Sequence, residues 1–128
     1  MSTKTNILGG TERIVFVDDE KALVMIVSEM LIKCGYNLIS TTDPFKALQF
    51  LTDDKYDLLI TDMNMPGMSG GVLASKAKLL NPNLKIIIVS GYSSNEINKQ
   101  IEIEIDAFIQ KPFNLTNLDE KIRRIFDL

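Results

Sequence analysis

The chain has 128 residues, with 14 Lys and Arg against 17 Asp and Glu for a net charge of −3, and 45% of its residues are hydrophobic. That length and balance predict one globular domain with an ordinary core, exclude a disordered chain, and leave no basic surplus to neutralise nucleic-acid phosphates. Histidine is absent and Cys34 is the single cysteine. Imidazole chemistry, Ser-His and Cys-His nucleophile pairs, intrachain disulfides and Cys- or His-built metal centres are therefore excluded, and any metal must be a hard cation held by oxygen.

The first ten residues contain no apolar h-region, and no run approaches the ~18 apolar residues of a membrane span. A cytoplasmic location without membrane contact is expected. Residues 1–12 are polar and carry Gly9-Gly10, and they read as a tail or linker ahead of a domain over 13–128. Ile14-Val15-Phe16-Val17 predicts a strand buried on both faces. It stops at Asp18-Asp19-Glu20, and a largely apolar helix follows over 21–33, with Gly35 where a C-terminal glycine belongs. That helix carries Ala22-Leu23-Val24-Met25-Ile26-Val27. It is too short to span a membrane and predicts burial beside a partner surface.

A weaker strand over 36–41 precedes Asp43-Pro44, an N-cap and N1 proline that open a helix through Phe45, Leu48 and Leu51. Leu58-Leu59-Ile60 predicts a third strand ending at Asp62, and Ser69 caps the next helix, which runs to about Leu80. Met63, Met65 and Met68 in the intervening loop read as packing groups ahead of a pliable partner surface. Asn81-Pro82-Asn83 breaks the helix, and Ile86-Ile87-Ile88-Val89 is the fourth strand, closing on Ser90-Gly91. Ser93 and Glu96 have capping-box spacing for a helix to about Ile103, with Ile97 and Ile101 facing the core and Ile103 exposed. Ala107-Phe108-Ile109 is the fifth strand, and Asn114 caps a last helix containing Leu118, Ile122, Ile125 and Phe126. Cys34 reads as a half-buried thiol without a catalytic role. Five alternations of strand and helix predict a parallel sheet with helices on both faces.

Ligands of such sheets bind beyond the carboxyl ends of the strands. There the sequence delivers Asp18-Asp19, Asp62, Ser90 and Lys111 from four strand ends. Singly, Asp18 or Asp19 could cap a helix, Asp62 and Ser90 could open turns, and Lys111 could be a solvated charge. Jointly, crowded carboxylates raise one another's pKa, and a divalent oxygen-seeking cation relieves that repulsion. The chemistry that fits is phosphoryl transfer onto a carboxylate, with Asp62 as acceptor, Lys111 as counter-charge and Ser90 as a donor to a phosphoryl oxygen.

From Ile14 onward the chain resembles the receiver domain of two-component response regulators. The matching pieces are Val17-Asp18-Asp19-Glu20, the run Ile60-Thr61-Asp62-Met63-Asn64-Met65-Pro66-Gly67-Met68-Ser69-Gly70, Val89-Ser90-Gly91, and Asp106-Ala107-Phe108-Ile109-Gln110-Lys111-Pro112-Phe113. The resemblance implies a (βα)5 flavodoxin-like three-layer sandwich of the α/β class, with strand order 2-1-3-4-5. It makes Asp62 the phosphoacceptor, with Mg²⁺ (or Mn²⁺) held by Asp19, by Asp18 largely through water, by Asp62 and by the main-chain carbonyl of Asn64. Ser90 and Phe108 become the switch pair, Lys111 the phosphoryl contact, and Lys111-Pro112 a cis peptide.

Departures from the family pattern are local. Phe108 lacks the hydroxyl of the tyrosine often found there, so its two states would differ in packing alone. Glu104 and Ile105 replace a small Gly-Ala pair, where a non-Gly residue at positive φ would be uncommon. Tyr92 lies two residues past the switch hydroxyl, where with Asn64 it is expected to shield the acyl phosphate and tune its lifetime. The family's switching face, made by the fourth helix, fifth strand and last helix, offers a homodimer contact.

With no histidine of its own, the chain needs a histidine kinase or histidine phosphotransfer protein as donor. No enzymatic activity beyond self-phosphorylation and autodephosphorylation is expected. No effector domain follows the last helix, so output comes by docking, or the chain is a fragment. Gly10-Thr11-Glu12-Arg13-Ile14 resembles the lead-in to receivers at the C-terminus of hybrid histidine kinases, which would carry kinase activity elsewhere in the polypeptide. From a different class, an aspartyl-phosphate phosphohydrolase of the haloacid-dehalogenase type would need Asp-x-Asp after the first strand and a cap segment. A flavin-mononucleotide binder of the same topology would need a phosphate-cradling loop where this sequence puts acids. Both rank below the receiver.

Overall fold

The structure, a computed structural model, describes residues 7–91 and 103–127. Its strands are β1 (Arg13–Val17), β2 (Asn37–Thr41), β3 (Leu58–Asp62), β4 (Lys85–Ser90) and β5 (Ala107–Gln110). All neighbours are parallel, in the order β2-β1-β3-β4-β5. The described helices are α1 (Lys21–Lys33), α2 (Pro44–Asp53), α3 (Gly70–Leu80) and α4 (Leu115–Phe126). This is the flavodoxin-like α/β arrangement expected from the alternation of elements. The helix anticipated from Ser93 and Glu96, with Ile97 and Ile101, lies outside the described residues.

Strand alternation divides the core into two layers. Val15, Val17, Leu59, Ile86 and Ile88 face α2 and α3, packing with Ala47, Leu51, Leu73, Ala74 and Ala77. Ile14, Phe16, Leu58, Ile60, Ile87 and Val89 face α1 and α4, against Val24, Val27, Leu31, Leu118 and Ile122. Each central strand is apolar on both faces because each face is covered, the condition for an all-parallel sheet. Met63, Met65 and Met68 are buried in the first layer, so the loop after β3 is packed down on the sheet. Ile103, expected to be exposed, is half-buried against that same layer, as is Ile105, while Glu104 between them points to solvent. The Ile-Glu-Ile alternation there follows a strand-like period in an irregular segment, which places both isoleucines on one side.

Three helices start on the side-chain caps read from the sequence. Asp43 accepts from the Phe45 N–H (2.9 Å), Ser69 from Val72 (3.1 Å) and Asn114 from Asn117 (2.8 Å), each type of cap being worth about 1 kcal/mol. The first helix differs. Its N-cap is Glu20, which makes no side-chain cap bond, so neither Asp18 nor Asp19 serves as the cap. Gly35, at φ +100°, follows the Cys34 C-cap and donates to the Ile32 carbonyl at 3.0 Å. Cys34 itself is half-buried.

Gly70 marks a close approach between α3 and the end of β3. Its N–H donates to the Met63 carbonyl at 2.8 Å, and a Cβ there would lie 2.1 Å from the Asp62 carbonyl oxygen. Gly70→Ala is therefore expected to destabilise the protein although alanine favours helix by about 1 kcal/mol. A net loss of about 2 kcal/mol, or roughly 8 °C in Tm for a domain of this size, is expected in thermal unfolding. A variant melting at or above the parent temperature would contradict the close approach.

Candidate functional site

Three backbone bonds carry chain order past the ends of the strands. The N–H of Asp18 donates to Thr41 O (3.4 Å), that of Met63 to Val89 O (2.9 Å) and that of Lys111 to Ser90 O (2.7 Å). The first residues beyond β1, β3 and β5 therefore remain in sheet register, which fixes Asp18, Asp62 and Lys111 on one rim while Met63 packs into the core. Asp62 is the last residue of β3, and its own carbonyl accepts from the Thr61 hydroxyl at 2.9 Å.

Carboxylate oxygens of Asp18, Asp19 and Asp62 lie within 4.8 Å of one another. Asp18 is fully buried, Asp62 is 6% exposed, and Asp19 faces solvent. The Lys111 ammonium sits among them, 2.8 Å from Asp18 Oδ2 and 3.4 Å from Asp62 Oδ1. It also reaches Glu20 Oε1 at 3.1 Å. Asp18 is fixed from its other oxygen, Oδ1, which accepts from the Glu20 N–H at 2.9 Å.

The charges follow from this geometry. Burial, and next the Asp18 charge, push the Asp62 carboxyl up to about 6, and Lys111 offsets only part of that rise. Burial works to lower the pKa of Lys111. Its close polar contacts with Asp18 and Glu20, and the charges of Asp18 and Asp62, outweigh that and hold it above the ordinary lysine value. The ammonium thus stays charged, while Asp62 is the member of the cluster whose ionisation is held back.

The remaining sequence-derived residues distribute around this centre. Ser90 is fully buried at the end of β4, where it pairs in register with Gln110 of β5. Phe108 is half-buried against the α2–α3 layer. Asn64 is exposed in the loop directly after Asp62. The Lys111–Pro112 peptide is cis. Tyr92 lies outside the described residues.

Glu20 is the polar group that sequence reasoning left without a role. Its position straight after the acid pair, at the start of α1, was visible, but its ion pair with a lysine 91 residues away was not. One further neighbour is apolar. Leu23, Ile26 and Met30 of α1, together with Phe113 and Leu115, line a hollow of about 270 Å³ beside the acidic rim. Val24, Val27 and Leu31 face the core, whereas Met25 (62%) and Ile26 (54%) are largely exposed.

Comparison with known proteins agrees with this arrangement. The family model described as "Response regulator receiver domain" matches residues 14–123. The response regulator receiver protein CpdR of Brucella abortus is 30% identical over 89% of this chain and 96% of its own length. The sensor kinase CckA of the same organism is 26% identical over 97% of this chain, which spans only 13% of that protein. Among solved structures, the response regulator protein TrrA of Thermotoga maritima, in complex with Mg²⁺-BeF, superposes with a TM-score of 0.79 at 30% identity, covering 91% of this chain and all of its own. Receiver domains work with histidine kinases and phosphotransfer proteins, and among the described residues no helix is long and apolar enough to cross a membrane. The chain belongs to the response regulator receiver domain family, a signalling domain of two-component phosphorelay systems.

Proposed function

We propose that the chain accepts a phosphoryl group on Asp62 from the phosphohistidine of a kinase or phosphotransfer partner, and that the acyl phosphate shifts the Ser90 and Phe108 side of the domain. The observation that carries this reading is a buried carboxylate at the end of β3, held 3.4 Å from a half-buried lysine and within 4.8 Å of two further carboxylates. A cytoplasmic location and the absence of other catalysis belong to the same proposal.

The attacking atom is a carboxylate oxygen of Asp62. It bonds to phosphorus as the bond from phosphorus to the donor's imidazole nitrogen breaks, the electron pair staying on that nitrogen. Lys111 neutralises charge that spreads over the equatorial oxygens, and the Ser90 hydroxyl donates to one of them. Phe108, which has no hydroxyl to bond, follows Ser90 by repacking, and two populated arrangements exchange weight.

Mg²⁺ (or Mn²⁺) fits the donor set. The buried Oδ2 of Asp18 has Lys111 as counter-charge and no well-aligned hydrogen-bond donor among the described residues. Three residues bring carboxylate oxygens within 4.8 Å of one another, an all-oxygen donor set of the kind a hard divalent cation takes. Asp18, Asp19, Asp62 and the Asn64 main-chain carbonyl would hold the ion. When bound, it supplies charge neutralisation between the carboxylates and the phosphoryl oxygens.

For the donor, the exposed apolar face of α1 beside the acidic rim offers a docking surface. Met25 and Ile26 stand outward there, and Ile26 shares the hollow with Phe113. Asn64 and Tyr92 are proposed to tune the lifetime of the acyl phosphate. A homodimer contact is proposed on the face that includes β5 and α4.

Intact mass after incubation with acetyl phosphate and Mg²⁺ should rise by one phosphoryl group, and Asp62→Asn should show no gain. Labelling of Asp62→Asn at the parent rate would move the acceptor elsewhere. Ile26→Asp should lower transfer from a phosphorylated histidine phosphotransfer protein by about tenfold or more, with the acetyl phosphate rate unchanged. Equal losses with both donors would remove the docking role.

The raised pKa of Asp62 sets a pH test on metal-free protein. The native state keeps this proton up to about pH 6, whereas the unfolded chain releases it near 3.8. Between those values the native state binds more protons, so the Asp62 contribution to stability falls as pH rises and levels off above about 6. In urea unfolding, the stability of the parent relative to Asp62→Asn should decline from pH 4 to pH 6.5. A flat difference would mean that Asp62 titrates normally. Mg²⁺ should raise Tm at pH 7.5, and lose that effect as Asp62 protonates at lower pH.

A further inference from the structure

At the opposite end of β1 from the acidic rim lies a second buried polar cluster, unconnected with phosphoryl chemistry. Asp119 is a carboxylate on the inner, otherwise apolar face of α4, between Leu118 and Ile122, and is 1% exposed. Three donors reach it. The Leu8 N–H donates to Oδ2 at 2.8 Å, the Gly9 N–H to Oδ1 at 3.1 Å, and the buried Tyr36 hydroxyl to Oδ1. Two of the three thus come from the main chain of the segment ahead of β1.

That segment is held along its length. Arg123, one turn beyond Asp119, donates to the Gly9 carbonyl at 3.2 Å, pairs with Glu12, and lies over the Tyr36 ring at 5.7 Å. On the other side, the Gly10 N–H donates to Cys34 O at 3.3 Å. The Asn37 side chain donates to Thr11 O at 2.8 Å, and the Asn37 N–H to Glu12 O at 3.0 Å. Residues 8–12 therefore bridge α4 to the corner where α1 meets β2. The seat admits only glycine at its closest point. Gly9 has φ +71°, and a Cβ on it would lie 2.3 Å from the Cys34 carbonyl oxygen.

We propose that Asp119 is a receptor for the main-chain amides of the chain's own N-terminal segment, and that residues 8–12 form a strap whose docking governs the stability of α4. The physical reason is the asymmetry of buried polar groups. A buried carboxylate that loses two of its three donors is far more costly than an exposed one, so releasing the strap leaves α4 with an under-bonded charged group on its apolar face. The helix then opens toward water locally while the sheet keeps its packing. The segment ahead of β1 thereby acts as an input to α4 that is separate from Asp62.

Leu8 permits an atom-level test in the 128-residue chain, because its side chain is 74% exposed while its N–H is used. Leu8→Pro deletes that donor, and Leu8→Ala keeps it. Amide hydrogen exchange, read by mass spectrometry on peptides covering 115–126 and 44–53, reports α4 and α2 separately. Leu8→Pro and Gly9→Ala are expected to speed exchange in α4 by about tenfold or more, with α2 unchanged and Leu8→Ala matching the parent. Leu8→Pro added to Gly9→Ala should give little further acceleration in α4, since both release the same strap. Unchanged exchange in α4, equal acceleration in both helices, or additive effects in the double variant would overturn the proposal. None of these readouts depends on phosphorylation, so failure here leaves the Asp62 reading untouched.

Discussion

A lysine ammonium held among carboxylates is the interaction on which the functional edge of this sheet depends. Two like charges ~4 Å apart repel by about 4 kcal/mol at an effective dielectric of ~20. Asp18 and Asp62 are both buried, so solvent screens that repulsion little. Lys111 relieves it from 2.8 Å and 3.4 Å, and Glu20 adds a further anchor for the ammonium. The relief does not cancel the cost of burial, which, followed by the Asp18 charge, keeps the Asp62 carboxyl raised. An edge neutralised only in part is suited to further positive charge, and the Asp62 carboxyl is held above the ordinary carboxylate range.

The rest of the fold exists to hold those strand ends in line. Two apolar layers grip the sheet from both faces, and Asp18, Asp62 and Ser90 are buried where its strands stop. The backbone bonds of Asp18, Met63 and Lys111 extend the ladder one residue past the assigned strands, so the side chains that leave the sheet do so from fixed positions. The methionines after Asp62 add to this by burying the loop, and Gly70 lets α3 begin within van der Waals distance of the Asp62 carbonyl. A rigid frame with one under-neutralised edge suits the proposed covalent change at that edge.

The two ends of the sheet handle buried charge in opposite ways. At the carboxyl edge, acids outnumber the ammonium that serves them. At the amino edge, Asp119 is matched by donors from Tyr36, Leu8 and Gly9, and Arg123 is matched by Glu12 and the Gly9 carbonyl. The first arrangement leaves room for chemistry, and the second fixes a helix. Both use groups far apart in the chain, and neither could be assembled from one segment.

Much of this was readable in the residues. The double-sided apolar runs, the caps at Asp43, Ser69 and Asn114 and the glycine at 35 mark the elements because each reflects a local rule of backbone geometry or of period. The acids at 18, 19 and 62, with Ser90 and Lys111, could be placed on one rim because a parallel sheet sends every strand end the same way. The half-burial of Ile103, the ion pair of Glu20 and the docking of residues 8–12 were not readable. Each depends on what a distant segment brings to the same point, and no spacing within the chain encodes that. Local chemistry along the chain thus determined the elements and the reactive groups. Tertiary structure alone decided which charges are neutralised and which are left wanting a partner, because burial and Coulomb interaction depend on distance through space.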